Sequence, residues 1–206
     1  MSSAIRDVGR TLVNLLRDNL ADDNAPGGIR RQQIVLLPPA EAKTGGVRLT
    51  LFLYAIAPAA ELRNELEVPG GPEGDEAVSE PLDLYFLLTA FAPAEGDDPT
   101  ERTHDSHLLL GTAMRVFFDN GTLTGSVLQG DLPRDEELRL TLQPMTVEDL
   151  TRIWSVFPES VLHASVSYLV TPVRLRSTRT RGGTRVVSRA SDVGHVVPTG
   201  VEAGLP

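Results

Sequence analysis

Two histidines, His104 and His107 in the stretch THDSH, stand three residues apart with Asp97, Asp98 and Asp105 close by. On a helical turn that spacing lets two imidazoles face one point, the arrangement a zinc or nickel ion requires. No second cluster with ligand spacing occurs in the sequence, and the flanking prolines and glycine favour a solvated loop or helix start, so no metal is expected. The segment GTLTGSVLQG places Gly125, Ser126 and Gly130 off the spacing of a nucleophile elbow. Its glycines at 121, 125 and 130 are too loosely spaced for a phosphate-binding loop, and no Gly-Lys-Ser/Thr follows. The carboxylates at Asp97 and Asp98 and at Asp135, Glu136 and Glu137 fall between elements, where charge runs are solvated, whereas acid and base work needs two groups held across a cleft. Cysteine is absent, which removes disulfides, thiolate metal sites and a catalytic thiol together. The expectation is a non-enzyme without a cofactor. A small hydrolase whose site is invisible in sequence is the enzymatic alternative.

The remaining chemistry lies in arginine. Residues 174–206 hold Arg174, Arg176, Arg179, Arg181, Arg185 and Arg189 against Asp192 and Glu202, a balance of +4 within a chain of net charge −9. The rest is an acidic body. Each guanidinium can offer a bidentate pair of hydrogen bonds, so these six are the candidate partner-binding residues. Gripping phosphate is one use, but the acidic body and the lack of aromatics between the arginines argue against nucleic acid. A solvated tail is the plain alternative. A strand-like arm that adds to a neighbour's sheet edge, its arginines meeting acidic surface, is the reading preferred here.

These residues need elements to position them. Ile5, Val8, Leu12, Leu15, Leu16 and Leu20 recur at three- and four-residue spacing and predict an amphipathic helix over 5–20, with Ser2 or Ser3 able to cap it and Arg6, Arg10, Arg17 and Asp18 elsewhere. The run VRLTLFLYAIA (47–57) alternates and then becomes apolar on both faces, as a central strand does, and PLDLYFLLTAFA (81–92) repeats the pattern. Between them, residues 58–80 carry Pro58, Pro69, Gly70, Gly71, Pro72 and Gly74 among glutamates and read as a long mobile loop. A second helix is expected over 107–120, with Leu109, Ala113, Val116 and Phe117 on one face. A strand follows over 138–142, then a helix opened by a Thr146/Asp149 capping box with Leu150, Ile153, Trp154 and Phe157 on one stripe, then a strand over 163–176. The class is α+β: one mixed, mainly antiparallel sheet covered by about three helices. The expected division is a domain over 1–175 and an arginine-rich arm over 176–206. The first twenty residues lack a signal peptide's unbroken apolar core, and no stretch is apolar enough to span a bilayer, so a cytoplasmic protein without membrane insertion is expected.

Four segments, LTLFLYAIAPAAELRN (49–64), PLDLYFLLTAFA (81–92), HLLLGTAMRVFFD (107–119) and LTLQPMTVEDLTRIWSVFP (140–158), together resemble the cap, or tail-terminator, proteins of extracellular contractile injection systems, which are phage-tail-like particles. SVSYLVTPV (165–173) adds a fifth, weaker segment in the same order. The loop over 58–80 and the residues after 176 carry no part of the resemblance. It implies a tail-terminator-like fold, assembly as a homohexameric ring, and contact with the tube and sheath proteins whose polymerisation the ring ends. A scaffold or chaperone that docks without ending the tail is the alternative within binding proteins.

Overall fold

The computed structural model describes residues 3–21, 28–43, 46–65, 75–94, 96, 98–157 and 160–182, with side chains undescribed at 43, 63–65, 75–78 and 176–182. Helix α1 spans Ala4–Leu20. Its Val8, Leu12 and Leu16 are fully buried, as the spacing predicts. Ser3 stands at the cap position, but its hydroxyl donates to Asp131 Oδ2 (2.8 Å) instead of closing the first turn. Helix α2 spans Pro99–Asp119. It starts two turns earlier than its apolar face suggests, because Asp98 accepts from the amide of Thr100 (2.8 Å) and Pro99 fits the first turn without a donor to lose. Its buried face is Leu110, Ala113, Val116 and Phe117; Leu110 takes the fully inward position and Leu109 is half-buried. Helix α3 spans Val147–Ser155 and opens with the predicted capping box, Asp149 N donating to Thr146 Oγ1 (3.1 Å) and Thr146 N to Asp149 Oδ2 (3.2 Å).

Among the described residues, six strands form one sheet in the order β1-β2-β3-β6-β5-β4: β1 Ile34–Val35, β2 Leu49–Pro58, β3 Asp75–Ala90, β4 Thr122–Leu123, β5 Leu138–Gln143 and β6 Ser165–Gly182. Only β1 and β2 run parallel, so the sheet is mixed and mainly antiparallel. The expected α+β class is the one found.

The pleat divides the strands between two faces. Leu49, Leu51, Leu84, Phe86, Leu88, Leu138, Leu140, Tyr168 and Val170 point into the main core beneath α1 and α2. Phe117 of α2 meets Tyr168 edge-on, ring centres 4.9 Å apart. The other face carries Thr50, Phe52, Tyr54, Thr89 and Ser167. There the Tyr54 and Ser167 hydroxyls pair at 2.8 Å, as do those of Thr89 and Ser165. Helix α3 covers part of this face by packing Phe157 on Phe52 (5.9 Å) and on Trp154 (6.2 Å).

One expectation is corrected. The strand predicted over 81–92 begins at Asp75, so the last six residues of the expected loop 58–80 belong to β3. Asp7, to which the helical pattern assigns no face, is fully buried. Its carboxylate accepts from Arg6 Nε (2.9 Å) and from the amide of Asp131 (3.1 Å). Thr11 beside it donates to the Asp7 carbonyl (2.8 Å) and accepts from the amide of Gln129 (2.9 Å). These bonds pin the segment 129–131 onto α1. A Cβ on Gly130, whose φ is +69°, would lie 2.3 Å from the Asp7 carboxyl carbon, so that turn requires glycine both for its conformation and for the close approach.

Candidate assembly surface

Beyond the body of the sheet, β3 and β6 continue as a pair. β2 stays with β3 down to Pro58 opposite Leu82, and β5 stays with β6 up to Arg139 opposite Thr171. Past those points Leu82 faces Val173, Pro81 faces Arg174, Ser79 faces Arg176, Glu76 faces Arg181 and Asp75 faces Gly182. The junction is a bulge: between Leu82 and Leu84, β3 advances by one extra residue, Asp83, while β6 advances by two, Thr171 and Pro172. The Thr171 hydroxyl donates to the Asp83 carboxylate across it. Bulges of this kind bend and twist a ribbon away from the sheet that bears it.

Four of the six predicted arginines therefore stand on one strand. Arg174, Arg176, Arg179 and Arg181 lie within β6, and β6 crosses residue 175 without a break. Arg174 is half-buried beside the buried Val173. Arg185 and Arg189 lie outside the described residues. The partner strand carries Asp75, Glu76 and Glu80, and the register sets Glu76 opposite Arg181. Opposite charges across a strand pair contribute modestly, about 0.2 to 1 kcal/mol per pair.

The ribbon also has open main chain. Among the described residues no strand pairs with β6 beyond Thr171 on its outer side, and none pairs with β2 from Leu51 to Pro58 on the side of β1. Unpaired amides and carbonyls in a row are a template for another strand. A second feature, not legible in the sequence, is a set of exposed apolar side chains flanking α3: Val147, Val156, Val161 and Leu162 are 79%, 66%, 77% and 50% exposed. Phe118, at the end of α2, is 85% exposed.

The residues first considered for chemistry are scattered. His104 and His107 lie on the exposed early turns of α2, with His104 Nδ1 3.8 Å from Glu101 Oε1. Asp98 is spent on capping, Glu137 pairs with Arg139 at 3.3 Å, and Asp97 lies outside the described residues. Among the described residues no three acidic or histidine side chains gather to hold a metal, and no helix is long and apolar enough to cross a membrane.

Comparison with known proteins agrees with this architecture. Among solved structures, the chain is similar to the sheath/tube terminator of PVC, an extracellular contractile injection system, in its extended state, with a TM-score of 0.62 at 18% identity. The alignment covers 94% of this chain and 64% of that one. It is also similar to the tube-terminating cap of the anti-feeding prophage, with a TM-score of 0.59 at 18% identity, covering 91% of this chain and 61% of that one. The chain thus spans less than two thirds of the length of either terminator, and at this identity the likeness establishes the fold. Comparison with curated proteins gives no match. The family model described as the Pvc16 N-terminal domain matches residues 7–189, from the first turn of α1 through the whole ribbon, including the loop 58–80 that the segment resemblance left out. The chain belongs to the Pvc16 N-terminal domain family.

Proposed function

We propose that the chain is a structural cap subunit that seats as a ring on the end of a contractile injection tail and stops further addition of tube and sheath. The observation that carries this reading is the fold shared over 94% and 91% of the chain with two terminators, together with membership of the family. Capping needs one face complementary to the last layer of the tail and another that refuses the next, which calls for binding surfaces and no catalytic group. Assembly in the cytoplasm as a homohexamer on the tube and sheath proteins completes the reading.

Within it, the residues from 176 onward act as the joining arm. Arg174, Arg176, Arg179, Arg181, Arg185 and Arg189 meet acidic surface on a neighbour while the open edge of β6 pairs with that neighbour's strand. Strand addition supplies affinity through the main chain, and the guanidinium groups set which edge is accepted. Cryo-electron microscopy of particles carrying the chain fused to a compact tag tests the placement. Tag density confined to one ring at one end of the tail is expected. Density along the tail, or none on finished particles, favours a scaffold or chaperone and overturns the cap reading.

A further inference from the structure

At the end of the sheet where β2 begins and β3 finishes lies a cleft of about 860 Å³, the size of a small-molecule site. Arg30 ahead of β1, Arg48 just ahead of β2 and Arg102 on α2 line it, and Asp105 is the one carboxylate among its described lining residues. Two of the arginines are held by the main chain: Arg48 Nε donates to the Phe91 carbonyl (2.9 Å) and Arg102 Nε to the Pro93 carbonyl (2.9 Å). Among the described residues, the terminal nitrogens of these two have no partner. Arg48 is half-buried. Burial lowers its guanidinium from the ordinary value, and the charge of Asp105 offsets only part of that. A cation withdrawn from water without a counter-ion is costly, and an anion entering the cleft relieves the cost.

The main chain around the arginines is already spent. The Arg48 amide donates to the Gln33 carbonyl and the Phe91 amide to the Arg48 carbonyl, both at 2.9 Å, while the Phe91 and Pro93 carbonyls are the ones the two side chains occupy. Arg48 and Phe91 therefore have no main-chain group left for an extended peptide, which binds through its backbone. What the cleft can read is a compact anion. A phosphoryl group brings about two negative charges and three acceptor oxygens, a closer match to several guanidinium forks than a single carboxylate.

An aromatic wall stands beside the cations. Phe91 and Trp154 each lie against His163, with ring centres 4.8 and 5.8 Å apart. Burial lowers the His163 imidazole from its ordinary value, so near pH 7 it is a neutral ring and adds no charge. Trp154 is only 5% exposed, and its indole N–H and the buried Ser160 hydroxyl, both in the cleft wall, have no hydrogen-bond partner among the described residues. Buried donors left unmade are costly, and a ligand rich in acceptors supplies what the protein does not. We infer that the cleft binds a nucleoside di- or triphosphate, its phosphoryl groups on Arg30, Arg48 and Arg102, its base along Phe91 and His163, and Asp105 accepting from a hydroxyl or amine of the nucleoside. The phosphorylated end of a nucleic acid strand offers the same chemistry, but a chain of net charge −9 repels the phosphates that would follow, so the ligand is a free nucleotide. The grip comes from side chains, which is why no glycine-rich phosphate loop announces it. Binding alone is inferred, with no reaction, and it stands apart from the capping role.

Isothermal titration calorimetry on the full-length protein tests this with adenosine diphosphate as the probe. Saturable binding of one ligand per chain is expected. Adenosine and inorganic pyrophosphate should each bind about tenfold more weakly or worse, since one lacks the charge-assisted bonds and the other the ring contact. Arg30→Gln with Arg102→Gln should weaken the diphosphate by a similar factor at an unchanged circular dichroism spectrum. The ligand series leaves the protein unaltered, so it decides the matter even where the double variant fails to fold. No saturation up to about 1 mM, or equal binding of adenosine, overturns the site. Pyrophosphate binding as tightly as the diphosphate overturns the nucleoside, and a short oligonucleotide binding more tightly overturns the free nucleotide. A tetraglutamate peptide binding more tightly than the diphosphate makes the cleft a peptide site and overturns the choice of phosphate. None of these results bears on whether the chain ends tail growth.

Discussion

Asp7 takes no part in the proposed contacts, yet it fixes a large part of the surface. Paired with Arg6 and with the Asp131 amide, its carboxyl is held at about 2, well below the ordinary carboxylate range, the Arg6 hydrogen bond being the largest cause. A carboxylate with a depressed value stabilises the fold above the ordinary range near pH 4, and that contribution is lost as the pH falls toward 2. Asp7→Asn should cost about 2 kcal/mol in chemical denaturation, the usual loss for a charged hydrogen bond in a buried site. The same release should appear in the unaltered protein on acidification, as faster hydrogen exchange at the amides of Gln129 and Asp131. Unchanged exchange across that pH range would contradict the latch. The sequence could not disclose this role. A charge on an amphipathic helix reads as solvated, and Asp7 shares the edge of Thr11 and Leu15 rather than the centre of the Val8, Leu12 and Leu16 stripe. Its partner is 124 positions away. His104 and His107, by contrast, read as a solvated helix start, and they lie exposed on the early turns of α2.

Elements with a strong apolar pattern of their own were read, while the polar first turns of α2 and the ribbon of β3 and β6 were not. The central strands β2 and β3 carry alternation that turns apolar on both faces, and α3 carries its own capping box, so each is visible in its own residues. The ribbon is different. DEAVSE at the start of β3 and STRTRG at the end of β6 carry no alternating apolar run, and turn-forming prolines and glycines precede the first of them. Each becomes a strand by pairing with the other, about a hundred residues away along the chain. The strand expected over 163–176 already held Arg174 and Arg176, whereas the continuation of that strand through Arg179 and Arg181, paired with the start of β3, was not legible. Arg181 stands opposite Glu76. Arg181→Glu puts two like charges across the ribbon and should lower stability by only about 0.5 kcal/mol. Its effect on assembly should be larger, read as a reduced yield of capped particles at unchanged folded fraction by circular dichroism. Normal capping by this variant would remove Arg181 from the arm's contacts.

At the scale of the whole molecule, one sheet carries different offers at its two ends. The arginine cleft lies where β2 begins, the ribbon with its charged strands where β2 ends, and open edges run along β2 and β6. A subunit built this way can meet a neighbour on each side and still present a third surface, including the apolar groups around α3, to the tail. Removing residues 177–206 takes away four of the six arginines and should leave the body folded, because the described core residues all precede 176. The truncated protein is expected to fail in co-sedimentation with tails, and full retention would show that the arm is dispensable. The claim that the chain ends tail growth is tested most directly by electron microscopy of particles from cells lacking it, with the length and the free end of each tail measured. The account predicts open-ended tails of unregulated length, restored to uniform length when the chain is supplied again. Tails of normal length with closed ends in its absence would contradict it.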